Sequence, residues 1–134
     1  MLTAQDICSI LSKKEYPENE YWVIAGAGLV LHGVKTHTRD IDISCSTLLA
    51  DMLIAQGARW ELRPDGMRRI EAMDDIEIYE SLYAEEIIKI NGICVASLEC
   101  IRRQKAGWNR IKDLDDIRLI DAFISTKSAT SKDI

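Results

Sequence analysis

Between Arg39 and Cys45 the chain reads Asp-Ile-Asp-Ile-Ser, a strict alternation of polar and apolar residues. Successive side chains of a strand point to opposite faces, so this period puts Ile41 and Ile43 on a dry face and Asp40 and Asp42 together on the other. The predicted strand runs from Asp40 to Ser44. Its two same-side carboxylates stand roughly 6.6 Å apart along the chain, a spacing at which both reach one or two hard cations. Mg²⁺ favours a few carboxylates completed by waters and phosphate oxygens, which suits the pair. A bare Asp-x-Asp also fits a polar strand face turned to solvent, so its surroundings decide its meaning.

Upstream, Tyr21 to Ala25 is β-branched and aromatic enough for a buried strand. Gly26-Ala27-Gly28 then turns it into a short helix, Leu29 to His32, which ends at Gly33. A glycine-rich turn that opens a helix presents unpaired backbone N–H groups, an anion-binding arrangement. The same glycines also fit a tight turn with purely steric needs. With the aspartates beginning twelve residues after Gly28, close enough for the helix to turn back, the turn is predicted to bring phosphate donors and metal ligands together.

The remaining pattern sets the fold class. Thr3 caps a helix to Lys14, and Ser46 or Thr47 caps another that carries Leu48, Leu49, Met52, Leu53 and Ile54 and stops at Gly57. Strands Ala58 to Arg63 and Met67 to Ala72 flank the turn Arg63-Pro64-Asp65-Gly66. A further strand, Asp75 to Glu80, alternates Ile76 and Ile78 against Asp75, Glu77 and Tyr79. Asn91-Gly92 joins Glu86 to Ile90 and Ile93 to Ala96 as a hairpin. Ser97 caps a helix, Leu98 to Lys105, and a loop from Gly107 to Arg110 leads to a last helix capped by Asp113 with a stripe of Leu114, Ile117, Ile120 and Ile124. The order implies an α/β (α+β) domain, a mixed sheet covered by helices, spanning residues 1–124 with a frayed polar tail at 125–134.

Composition narrows the partners. A net charge of −5 argues against broad attraction to nucleic acid and leaves it only as a specific substrate. Four scattered cysteines form no C-x-x-C pair, so they read as free thiols rather than a zinc or redox site. No stretch reaches the roughly 20 apolar residues of a membrane span, and the first residues lack the pattern of a signal peptide. A cytoplasmic location is the expectation.

The stretch VIAGAGLVLHGVKTHTRDIDIS resembles the signature of the DNA polymerase β-like nucleotidyltransferase superfamily, in its small bacterial branch. Lincosamide nucleotidyltransferases and abortive-infection nucleotidyltransferase toxins carry such a motif: a Gly-Gly turn, a helix ending in Gly, then a Thr-x-Asp-Ile-Asp strand. Gly26, Gly33, Thr38, Asp40 and Asp42 fall on those places. The likeness extends more loosely over most of residues 20–121, with Glu77 at the place of the third acid and Lys105 at that of a helix lysine. Three departures stand out: Ala27 replaces the second glycine, no serine is present to contact phosphate, and the third acid is Glu rather than Asp.

The resemblance implies a metal-dependent enzyme that moves a nucleoside monophosphate from a triphosphate to a hydroxyl of a small molecule, a tRNA or a protein. Asp40, Asp42 and Glu77 would hold Mg²⁺ or Mn²⁺ and serve as the catalytic acids. Gly26, Ala27, Gly28, Thr38 and Lys105 would bind the nucleotide, with the Ala27 methyl at the mouth of the phosphate site. Lys105 equally fits a solvated lysine at a helix end. So short a chain is expected to share its cleft in a homodimer or to rely on a small helical partner. The departures at Ala27 and Gly28 also fit a catalytically silent relative, a binding module or toxin–antitoxin component. Arg68 and Arg69 are expected in a substrate groove or on a solvated hairpin.

Overall fold

The computed structural model describes residues 1–81 and 86–132, with side chains described through residue 127. Its elements are α1 (Ala4–Lys14), β1 (Tyr21–Ile24), α2 (Ala25–His32), β2 (Ile41–Cys45), α3 (Thr47–Ala55), β3 (Trp60–Leu62), β4 (Arg68–Glu71), β5 (Ile76–Glu80), β6 (Ile87–Ile90), β7 (Ile93–Ala96), α4 (Leu98–Trp108) and α5 (Ile111–Lys132). The strands form one sheet in the order β3-β4-β5-β2-β1-β7-β6. β1 pairs antiparallel with β2 and parallel with β7, while β2 pairs parallel with β5. The sheet is mixed, as the element order implies.

The period of two sorts the strands onto two faces. Val23, Ile41, Ile43, Ile76 and Ile78 are fully buried with Ile7 and Leu11 of α1 and Leu49 of α3. On the opposite face Trp22, Ile24 and Ala96 pack with Leu29, Ile101 and Ile120, so α4 and α5 cover the β1–β7 half. Beyond β1, that second face carries Asp42 and Ser44, then Glu77 and Tyr79, then Arg69 and Glu71, in register across β2, β5 and β4. Polar residues take over where the helix cover ends.

Several boundaries differ from the sequence reading, each for a local reason. β2 starts at Ile41, which leaves Asp40 just outside the ladder. The Gly26-Ala27-Gly28 segment is no turn but the first coil of α2; the chain reverses one residue earlier, where Ala25 takes a left-handed φ of 54°. α4 continues through Trp108, and Asn109 closes it in the left-handed conformation. Asp113 sits inside α5 rather than at its cap and accepts from the Arg110 backbone N–H at 3.2 Å. α5 runs on to Lys132, so residues 125–132 are helical where the polar composition predicts a tail. Its inward face also differs from the predicted stripe: Asp113, Asp116 and Ile120 are buried, whereas Leu114 is 42% and Ile124 38% exposed. No helix among the described residues is long and apolar enough to cross a membrane. The cysteines are free, three of them buried.

Candidate active site

The two strands that matter are neighbours. β2 and β5 run parallel with Asp42 opposite Glu77, so the two carboxylates lie side by side on the polar face. Asp40 precedes them at the exposed mouth. Asp42 is half-buried, and its Oδ1 is buried without a hydrogen-bond partner among the described residues. Burial first, then the charges of Asp40 and Glu77, push its pKa up to about 6, against the pull of Lys112 and Lys105. An orphaned carboxylate oxygen among like charges is the environment a cation relieves.

Glu77 is the contrast. Tyr79 donates its hydroxyl hydrogen to Oε2 at 2.7 Å, and Arg69 donates through Nη2 to Oε1. The Tyr79 hydrogen bond, opposed by burial and aided by Arg69, holds the Glu77 carboxyl below its ordinary pKa. Arg69 also pairs with Glu61 at 3.1 Å and Glu71 at 3.7 Å. Among the described residues no three His, Cys, Asp or Glu side chains stand close enough together to hold a metal. Asp40 and Asp42 remain as two neighbouring carboxylates, while Glu77, the expected third ligand, is turned to a guanidinium and a phenol.

The start of α2 lies beside this strand pair, with Ile24 of β1 opposite Asp42. α1, α3 and α4 are capped by the side chains of Thr3, Ser46 and Ser97, but α2 follows Ile24 and has no side-chain cap. No side chain therefore meets its first N–H groups as a cap at the positive end of the helix dipole. Gly26 lies against Thr38: a β-carbon there would sit 2.9 Å from Thr38 Oγ1. The structure thus brings together Gly26, Thr38 and the strand that carries Asp42, as the spacing implies. Thr38 is held there by paired backbone hydrogen bonds to Leu2, 2.7 and 2.9 Å long.

Ala27 and Gly28 answer to packing instead. The Ala27 methyl is 1% exposed within the apolar core, not at a phosphate mouth. A β-carbon on Gly28 would meet Ile101 Cδ1 at 2.7 Å, so this glycine lets α4 close on α2. Recreating the family pattern with Ala27→Gly and Gly28→Ser would strip a methyl from the core and crowd Ile101.

Lys105 is likewise relocated. It is 4% exposed, and its Nζ lies 2.9 Å from Asp116 and 3.4 Å from Asp113, so it is neither solvated nor a free point charge. Lys35 adds a 3.1 Å contact to Asp116, and Arg110 one of 2.6 Å to Asp113. Burial raises the Asp113 pKa, but the Arg110 hydrogen bonds and the Lys105 charge leave it below the ordinary value. These pairs pin the α4–α5 corner to the loop after α2. The corner carries Arg110, stacked on Trp108 with its guanidinium 5.0 Å from the ring centroid, and Lys112, which has no ion pair among the described residues. Arg110 senses the charge of Asp42, and Asp42 that of Lys112.

Arg69, Tyr79, Arg110 and Lys112 are site neighbours that single-motif reasoning overlooks or leaves ambiguous. The alternation of Asp75 to Glu80 already puts Tyr79 on the face of Glu77, which was a usable signal. Nothing local reveals that Arg69 rather than Arg68 faces the acids; Arg68 points to the other side, to Glu80 and Asp51. His32 donates its Nε2–H to the Ala96 carbonyl at 2.8 Å and takes no part.

In sequence, no family model and no curated protein matches the chain. In structure, it is similar to ANT(2″)-Ia in complex with adenylyl-2″-tobramycin, with a TM-score of 0.62 at 15% identity, covering 96% of this chain and 92% of that one. It is also similar to the lincosamide antibiotic adenylyltransferase LnuA, lincomycin-bound, with a TM-score of 0.59 at 17% identity, covering 90% of this chain and 97% of that one. Both comparisons span nearly the whole of each chain, so the shared feature is the architecture and not a fragment of it. The chain has the polymerase β-like nucleotidyltransferase fold.

Proposed function

We propose that this protein is a nucleotidyltransferase that moves a nucleoside monophosphate from a triphosphate to a hydroxyl acceptor, with a divalent metal held by Asp40 and Asp42. The observation that carries this reading is the partnerless buried Oδ1 of Asp42, beside Asp40 and within reach of the Arg110 and Lys112 charges. Bound Mg²⁺ or Mn²⁺ would neutralise triphosphate oxygens and the charge that develops on the leaving pyrophosphate. The uncapped N–H groups of α2 and the Thr38 hydroxyl would orient the phosphates, a role for which fixed donors need no reorganisation. Arg110 and Lys112 replace Lys105 as the cations that face the tail of the triphosphate. The acceptor hydroxyl would attack the α-phosphorus, the bond to the β-phosphate would break to release pyrophosphate, and the hydroxyl proton would pass to Glu77, the carboxylate opposite Asp42. Two and three strands out from Asp42, Arg59, Trp60, Glu61, Arg69 and Glu71 line an open hollow of about 310 Å³, where a small acceptor would rest. The fold neighbours that hold an adenylylated antibiotic and lincomycin make a small hydroxyl compound the first acceptor to try.

One observation favours a second reading, a catalytically silent module. Both oxygens of Glu77 are engaged, and a carboxylate with a lowered pKa is a poor base. Incubation with each α-labelled triphosphate, Mg²⁺ and a panel of acceptors (small hydroxyl antibiotics, total tRNA, cell extract) separates the two. An enzyme yields labelled acceptor, lost in Asp42→Asn at unchanged circular dichroism. Metal-dependent triphosphate binding without product supports the silent module. No metal-dependent binding at all sinks both.

A further inference from the structure

Glu77 is held in a way that a metal ligand is not, and the holding group has somewhere else to go. Arg69 faces three carboxylates: Glu77 through Nη2, and Glu61 and Glu71 through Nη1. If Glu77 leaves, the guanidinium keeps two acidic partners on its outer side, so no buried charge is stranded. Tyr79 is half-buried, and its hydroxyl can turn to water. Glu77 stands opposite Asp42 on the adjacent strand, about 4.8 Å away across the ladder, so a change of side-chain rotamer brings its carboxylate across without moving backbone. The longer Glu side chain makes that swing available where an Asp would be fixed by its one short arm.

We propose that Arg69 and Tyr79 form a latch that keeps Glu77 out of metal coordination in the unliganded chain, releasing it toward Asp42 only when a divalent cation enters. The proposal rests on the reading of Asp40 and Asp42 as the metal-holding pair. Arg69 and Tyr79 are then positioning residues that set metal affinity, and they compete with the cation for the same two oxygens. Strong charge-assisted bonds on both oxygens lower the affinity of the resting site and tie completion of the acidic triad to occupancy.

Mn²⁺ binding to the full chain without nucleotide, followed by calorimetry and by loss of the free-ion electron paramagnetic resonance signal, tests it. Arg69→Gln should bind Mn²⁺ about tenfold more tightly than wild type, and Tyr79→Phe, which changes no charge, about threefold more tightly. Both gains should vanish when Glu77→Gln is added, because a gain that came only from removing a nearby positive charge would survive that change. Should Arg69→Gln fail to fold, Tyr79→Phe alone decides, since it keeps the ring under Arg63. Unchanged or weaker binding in the foldable variants, with binding still abolished in Asp42→Asn, overturns the latch and leaves the Asp40–Asp42 site standing. Equal binding by Asp42→Asn and wild type overturns the site and the latch together.

Discussion

The same two strands show opposite chemistry on their two sides. Toward α1 and α3, Ile41, Ile43, Ile76 and Ile78 are at most 1% exposed and belong to one apolar cluster. Toward the open half, Asp42, Ser44, Glu77 and Tyr79 occupy the alternating positions, among charged groups. One face gains free energy from every methylene it removes from water, and the other spends part of that gain on a carboxylate pushed toward its protonated form. The difference teaches where stability and function separate: side chains one residue apart in sequence belong to different problems. The rim between them is the α4–α5 corner, where Lys105 is as buried as a core leucine but only because two aspartates meet it.

Three substitutions would break or sharpen that contrast. Ile43→Ala should cost the most, about 3 kcal/mol in urea unfolding, because a fully buried isoleucine leaves a cavity in close-packed surroundings. A cost near zero would show that the dry face is not the stabilising one. Lys105→Met should cost about 2 kcal/mol, less than an isolated buried pair because Lys35 and Arg110 still face the two aspartates. Adding Asp116→Asn should restore part of the loss; full additivity of the two costs would deny the coupling.

Asp42→Asn should have the smallest effect and the opposite sign. Its carboxyl has a pKa of about 6 in the fold against an ordinary 3.8, so the folded state binds the proton more tightly. The resulting penalty is absent below pH 3.8, grows as the pH rises to about 6, and is complete above it. The variant should therefore melt with wild type near pH 3.5 and be more stable at pH 7.5, by about 1 kcal/mol after allowance for solvent screening of a half-buried group. Thermal melts across that range check it, and Mn²⁺ should close the gap at pH 7.5 by stabilising wild type alone. A variant less stable at every pH would mean that Asp42 makes structural bonds instead.

Alternation made the mixed sheet readable, and Asp40, Asp42, Thr38 and Gly26 were legible as one cluster because all four lie within a short span. Strand existence, the caps at Thr3, Ser46 and Ser97, and the Asn91-Gly92 hairpin were local matters, decided by side chains within a few residues of one another. Tertiary structure decided the rest. Whether Gly28 serves a phosphate or a helix depends on Ile101, far along the chain, and whether Lys105 is a phosphate ligand or a clamp depends on which face α5 turns inward. Two buried aspartates at i and i+3 with Ile120 four residues on read as an ordinary polar helix start until a lysine from α4 is placed against them. Glu77 could be assigned to the polar face beside Tyr79 from its period alone, but its second partner, Arg69, comes from a neighbouring strand whose register no local pattern specifies. Local periodicity determines which side a residue faces; only the packed sheet determines which charge it meets there, because Coulomb and hydrogen-bond partners are chosen by distance in space.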